Sequence, residues 1–341
     1  MTTTTGGTAT ETRPLLEAED LTVDLLSSAP GTPRSRRVVR GVSFAPREGE
    51  TLALIGESGS GKSLSAMALM GLLPATTAEV GGSVRHRGTD LLTLHPDALR
   101  ARRGKHLAMI FQDALSALNP TLTVGFQIAE VIRAHEKVSR REARARAVEL
   151  MARVRIPDPA RRYRDYPHQF SGGQRQRVMI ASALALAPEI LIADEPTTAL
   201  DVTVQAQIME LLAELREETG SALLLITHDL GLAAAAADRV AIMYAGHIVE
   251  QAPVEELYDR PAHPYTGGLL AALPRLDGPP GDLTSVPGTP PAPGPLPDGC
   301  AFRPRCATAR ASCAARRPVL LPAPSARLVA RHYPLEASSA R

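Results

Sequence analysis

The string Gly56-Glu57-Ser58-Gly59-Ser60-Gly61-Lys62-Ser63 stands between the apolar run Thr51 to Ile55 and the Ala/Met/Leu-rich stretch Leu64 to Leu73. It fits the spacing G-x-x-x-x-G-K-[ST]: the glycines let successive backbone N–H groups turn toward phosphate oxygens, the lysine supplies a point charge and the hydroxyl serves Mg²⁺. A chain with this pattern is constrained to a buried strand, a tight loop and a helix whose N-terminus faces an anion. Gly56, Glu57, Ser58, Gly59, Ser60, Gly61, Lys62 and Ser63 are therefore read as phosphate-binding residues, with a strand over 51–55 and a helix over 64–73. An ordinary Gly/Ser turn with an exposed lysine is the competing reading, and the flanking apolar segments argue against it.

A second string fits the first. Four apolar residues, Ile190-Leu191-Ile192-Ala193, lead straight into Asp194-Glu195 and Pro196. A central strand of that kind would deliver both carboxylates to its C-terminal edge, where ligands sit in open α/β sheets. Asp194 would then help Ser63 hold Mg²⁺, and Glu195 would orient or deprotonate an attacking water. Solvated carboxylates opening a loop are the alternative. Together the two strings predict binding and hydrolysis of a nucleoside triphosphate.

With 341 residues, 44% of them hydrophobic, the chain can build one large or two modest domains. A formal charge of +2 leaves the whole-molecule field uninformative about nucleic acid. Met1 to Pro14 is Thr/Gly-rich, without the basic and apolar blocks of a signal peptide. No segment approaches the length of a membrane span, so a soluble or peripheral protein in the cytoplasm is expected. Three cysteines, Cys300, Cys306 and Cys313, make no disulfide framework.

Strands are expected at 21–26, 38–44, 51–55, 107–111, 189–193, 222–227 and 239–243, with a Pro/Gly/Arg-rich break at 29–37. The stretch from about Val124 to Arg177 turns helical and Arg-rich. Ser139 and Glu142 fit a capping box, and Ala143, Ala147, Leu150, Met151 and Val154 recur at helical spacing, which leaves the arginines on a solvated or partner-facing side. Apolar runs alternating with helical periods predict a largely parallel α/β sheet covered on both faces. Ser171-Gly172-Gly173-Gln174 precedes another helix, and Gly-rich backbone at a helix N-terminus is an anion site by the same physics as the first loop.

In order, the Gly56–Ser63 loop, Gln112 in Met109-Ile110-Phe111-Gln112-Asp113, Ser171 to Gln174, Ile190 to Pro196, Ala199-Leu200-Asp201 and His228 in Ile226-Thr227-His228-Asp229 resemble the motif series of an ABC ATPase. The resemblance covers about 15–275. It implies an α/β P-loop NTPase fold with a mixed sheet and a helical subdomain at about 120–180. It also implies a head-to-tail dimer in which Ser171, Gly172, Gly173 and Gln174 of one protomer close over the phosphate loop of the other. By the same resemblance Gln112 senses Mg²⁺ and relays to a membrane partner, Asp201 orders the dimer interface, and His228 contacts the γ-phosphate beside the catalytic Glu195, with Lys62 as the fourth catalytic group.

Beyond that cassette, Arg260-Pro261-Ala262-His263-Pro264-Tyr265-Thr266, a Pro-rich linker over 276–299 and Gly299-Cys300-Ala301-Phe302-Arg303-Pro304-Arg305-Cys306 resemble the C-terminal extension of oligopeptide, dipeptide and nickel importer ATPases. The extension would span 300–334, between that spacer and a tail at 335–341, with 1–14 a flexible N-terminus. The resemblance implies a paralogous ATPase as partner in a heterodimer, two transmembrane permeases, a solute-binding protein, and a place on the cytoplasmic side of the cell membrane. Peptides are the expected cargo, with nickel or another small solute as the alternative. Some relatives hold an iron–sulfur cluster on four cysteines; here Cys300, Cys306 and Cys313 are candidate ligands and Arg331 stands where a fourth is expected, with His332 beside it. The aromatic residue that usually stacks on adenine would fall near Leu25, so an aliphatic contact is expected. An ATPase acting on nucleic acid or ribosomes is another class, and the single cassette and near-neutral charge count against it; a non-catalytic regulatory ATPase is a third, against which the intact nucleotide motifs stand.

Overall fold

The computed structural model describes residues 14–27, 34–198, 200–273, 286–292 and 294–333. The expected flexible N-terminus up to residue 13, the linker residues 276–285 and the tail 335–341 lie outside the described residues, as does Ala199.

Strands β1 (Leu16–Leu26) and β2 (Ser35–Phe44) lead into β3 (Thr51–Ile55) and helix α1 (Lys62–Leu69). After β4 (Ala78–His86), β5 (Thr89–Asp90) and α2 (Pro96–Arg102) the chain enters β6 (Leu107–Ile110). Five helices follow: α3 (Ala114–Ala117), α4 (Val124–His135), α5 (Arg140–Arg153), α6 (Pro159–Arg162) and α7 (Gly172–Ala183). Then come β7 (Ile190–Asp194), α8 (Val202–Thr219), β8 (Ala222–Thr227), α9 (Leu230–Ala236), β9 (Arg239–Tyr244) and β10 (His247–Pro253). Helices α10 (Val254–Asp259) and α11 (Pro264–Ala271) and the short strands β11 (Leu321–Ala323) and β12 (Arg327–Val329) complete it.

The main sheet runs β11-β12-β10-β9-β3-β8-β7-β6, parallel from β9 to β6 and antiparallel beyond β9. Its central strands β3, β7 and β8 are buried along their whole length, as expected for continuous apolar runs covered on both faces. Alternate side chains enter different cores. Leu52 and Leu54 meet Ala66 and Leu69 of α1, whereas Ala53 and Ile55 meet Val240, Ile242, Tyr265 and Phe302. A third core joins α4, α5, α7 and α8 to β6, β7 and β8.

A separate antiparallel sheet, β2-β1-β4-β5, holds the N-terminal strands. β1 begins at Leu16 rather than at 21, because Asp20 takes a φ of 48° and the register shifts there, which breaks the alternation a sequence pattern can show. β2 starts at Ser35 inside the expected break; it is an edge strand, where arginines are tolerated, and Arg37 pairs with Asp24 at 2.8 Å. α1 stops at Leu69, short of Leu73, because Gly71 turns left-handed with φ 60°.

Ser139 Oγ accepts from Glu142 N, and the apolar face of α5 is buried as the spacing required. Its arginines are more engaged than a solvated face implies. Arg146 forks onto Glu136, Arg153 pairs with Glu218, and Arg144 lies over the Tyr163 ring. The C-terminal segment also departs from a tail beyond a spacer. β12 pairs with β10, Gly294 O accepts from Arg40, and Phe302 enters the core that holds Ala53, Ile55 and Tyr265.

Candidate functional site

Two parallel neighbours of β8 build the site. β3 releases the loop at Gly56, and only glycine fits there: a Cβ would come within 2.1 Å of Met243 O. Gly59 and Gly61 take φ of 79° and 107°, and Gly61 is the N-cap of α1. Lys62 folds back into the loop, its Nζ donating to Gly56 O at 2.7 Å and Glu57 O at 3.2 Å. Burial holds its pKa below the usual lysine range, against the pull of Glu195, Asp194 and Glu57. The Ser60 hydroxyl is buried beside it with no partner.

β7 ends at Asp194, whose Oδ1 accepts from Ser63 Oγ at 3.0 Å. Burial pushes the Asp194 carboxyl up, the Ser63 hydrogen bond opposes that, and Glu195 adds to it. The buried Asp194 carboxylate and the partly buried Ser63 hydroxyl are adjacent hard oxygen donors, a pairing that suits a divalent ion such as Mg²⁺. Glu195 sits one residue further on at φ 45°, a conformation rare for a residue with a Cβ, fixed by its N–H donating to Ile226 O at 2.8 Å. Its Oε2 accepts from Gln112 Nε2 at 2.8 Å and from Thr198 Oγ1 at 2.9 Å, and His228 Nδ1 lies 3.3 Å from Oε1. Gln112 is thus bonded to Glu195.

These groups open on one cavity of about 620 Å³ lined by the loop residues together with Leu25, Arg36, Val38, Gln112, Glu195, His228 and Leu269. Among the described residues no Phe or Tyr ring lines it, and Leu25 does. Thr198, Arg36 and Leu269 have no signal in the sequence by which to find them: each arrives through tertiary folding.

Two family models match the chain, ABC transporter over residues 39–198 and oligopeptide/dipeptide transporter C-terminal region over 249–313. A Brucella abortus protein provisionally named peptide import ATP-binding protein is 53% identical over 310 residues, covering 91% of this chain and 92% of that one. The chain belongs to the ABC transporter ATP-binding proteins. The dipeptide transport ATP-binding protein DppD of Bacillus subtilis is 50% identical over 278 residues, 81% of this chain and 83% of its own. Among solved structures, a dimeric ATP-binding cassette in a post-hydrolysis state with ADP and Pi bound superposes with a TM-score of 0.62 at 29% identity, covering 70% of this chain and 98% of that one.

In this ABC ATPase the second glycine loop stands apart. Ser171 caps α7, its Oγ accepting from Gln174 N at 3.3 Å while Gln174 Oε1 accepts from Ser171 N at 3.2 Å. Gly172 and Gly173 open the same helix, Asp201 caps α8, and none of these residues lines the cavity over Lys62.

Cys300, Cys306 and Cys313 line, with Arg331 and His332, a small cavity of about 30 Å³. Arg331 donates to Ala262 O, and His332 Nε2 lies 2.9 Å from Arg316 O. Burial pushes the Cys300 thiol up, away from the thiolate that a cluster requires. The residues present, three thiols and a guanidinium, do not fit a four-thiolate cluster. Among the described residues the group whose donor atoms converge within 4.8 Å is instead His86, His106 and Glu189, where Glu189 already accepts from Arg87.

Proposed function

We propose that this ABC ATPase is the ATP-hydrolysing subunit of an importer for dipeptides or oligopeptides. The observation that carries its chemistry is the Glu195 carboxylate, held by Gln112, Thr198 and His228 and lining the same cavity as Lys62. The cargo class is supported by the matched C-terminal region and by the names of the relatives.

Loop N–H groups and the Lys62 ammonium bind the β- and γ-phosphates of ATP. Ser63 and Asp194 would hold Mg²⁺, with Gln112 within the same shell; the ion supplies charge neutralisation on the phosphates. Glu195 accepts a proton from water as the water oxygen bonds to the γ-phosphorus and the bond to the ADP oxygen breaks, giving ADP and phosphate. His228 and Gln112 fix the direction of that carboxylate. Ser171, Gly172, Gly173 and Gln174 of a second cassette complete the wall over the γ-phosphate, with Asp201 at the seam; that these residues do not line the cavity of their own chain supports this reading. We take the second cassette to be a paralogue. Phe111, Leu115, Phe126 and Tyr166 are exposed, on the segment around Gln112 and on the helical region, and offer apolar surface to permease subunits. No helix among the described residues is long and apolar enough to cross a membrane, in keeping with a peripheral subunit on the cytoplasmic face.

Glu195→Gln, purified with its partner cassette, should lose roughly a hundredfold or more in ATP turnover while still binding ATP, the usual scale for removing a general base. Turnover at the wild-type rate would remove Glu195 from the chemistry.

A further inference from the structure

Glu57 is the first variable residue of the phosphate loop, and its carboxylate is a liability there. It lines the nucleotide cavity and is only partly buried, in a loop built to attract anions. The residues that manage it come from far along the chain. Arg305 NH1 donates to Glu57 Oε2 at 2.7 Å and NH2 donates to Oε1 at 2.9 Å, a two-pronged fork. Its Nε donates to Pro287 O at 2.8 Å, and the guanidinium lies 5.8 Å from the centre of the Tyr244 ring. The side chain is 5% exposed. Such a guanidinium has little freedom to point anywhere else.

A second contact from the same region reaches the same residue. Tyr265, fully buried in the first turn of α11, accepts a hydrogen bond on its hydroxyl from Glu57 N at 3.1 Å. Lys62 takes the Glu57 carbonyl. Glu57 is thus held at its amide, carbonyl and carboxylate. Phe302 binds the two distal residues into one unit, its ring centre 5.4 Å from that of Tyr265 and three positions before Arg305.

We propose that Arg305 and Tyr265 are positioning residues for the phosphate loop: they cancel the Glu57 charge and fix the loop in its nucleotide-accepting form. Nucleotide affinity therefore depends on the seating of the C-terminal region. The two matched families, cassette and C-terminal region, meet at this contact. The inference rests on the reading of the cavity as the ATP site.

The test uses the full chain, a fluorescent N-methylanthraniloyl ATP with Mg²⁺ as the binding probe, and steady-state ATPase with the partner cassette. Arg305→Ala should weaken binding roughly tenfold and raise KM in step, with kcat within about twofold, the scale for one charge-assisted hydrogen-bonded pair. Arg305→Ala/Glu57→Gln should recover most of the loss relative to Arg305→Ala, because the unpaired carboxylate is then gone. Tyr265→Phe should weaken binding roughly threefold, for one neutral hydrogen bond. A wild-type affinity for Arg305→Ala, or a double variant as weak as Arg305→Ala, overturns the proposal. If Arg305→Ala does not fold, Arg305→Lys keeps the charge and loses the fork; it should bind about threefold more weakly and be rescued by Glu57→Gln, and absence of that pattern is equally fatal. Lys62→Ala separates the two levels. Loss of binding there with an unaffected Arg305→Ala sinks only this proposal, whereas wild-type binding by Lys62→Ala sinks the ATP site itself.

Discussion

At the scale of single residues, the loop was legible because backbone geometry leaves few choices. Gly56 has no room for a Cβ, and Gly59 and Gly61 take conformations that side chains resist, so their spacing is visible in any such chain. Thr198 was not legible. Its hydroxyl meets Glu195 only because Glu195 turns at φ 45° and folds the chain back on itself. Its contribution can be isolated. Thr198→Val keeps the shape and removes one of the donors aiming the carboxylate, so kcat should fall roughly fivefold, about 1 kcal/mol, with the KM for ATP unchanged. Steady-state ATPase with the partner cassette measures this, and an unaltered kcat would show that Gln112 and His228 suffice.

At the scale of elements, β3, β7 and β8 were readable as short apolar runs because burial on both faces removes any polar alternation. β1 and β2 were misjudged at their ends, where a bulge and an exposed edge let polar residues into strands. The start of α11 could not be derived at all. His263 caps it, its Nδ1 accepting from Tyr265 N at 3.1 Å, while Glu250, fully buried, accepts from the amides of Ala262 and His263. Burial, with Arg331 nearby, holds the His263 pKa down at about 3, against 6.5 for a free imidazole. Between those two values the unfolded chain binds a proton that the native chain refuses, so stability is lost as pH falls from about 6.5 toward 3, by up to about 1.4 kcal/mol per pH unit. His247, held at about 4 by burial and by Arg317 and Arg40, acts in the same direction. His263→Asn keeps a capping oxygen and removes one titration. Its melting temperature should therefore fall less than the wild type's between about pH 7 and pH 5, and parallel curves would show that His263 does not contribute.

At the scale of the molecule, a spacer followed by an extension reads from sequence as two bodies, because eight prolines fall among the 22 residues from Gly278 to Gly299. Packing says otherwise for the residues described. Phe302 is 4% exposed, and its ring centre lies 5.3 Å from that of Tyr244 on β9 and 5.4 Å from that of Tyr265, so the C-terminal region and the central sheet share one core. Composition could not reveal this, since proline counts report local stiffness and not where a segment returns. Shared cores melt together. Phe302→Ala should cost about 3–5 kcal/mol, a large part of the usual net stability of a folded chain. If the C-terminal region is part of the cassette, calorimetry will show one transition in the wild type, displaced downward as a whole in the variant by roughly 5 °C or more. An independent extension would instead give a second, smaller endotherm that alone moves, leaving the main transition and ATP binding where they were. The outcome also bears on the phosphate loop, because the displacement that loosens Phe302 would free Arg305 and return an unpaired carboxylate at Glu57 to the nucleotide cavity.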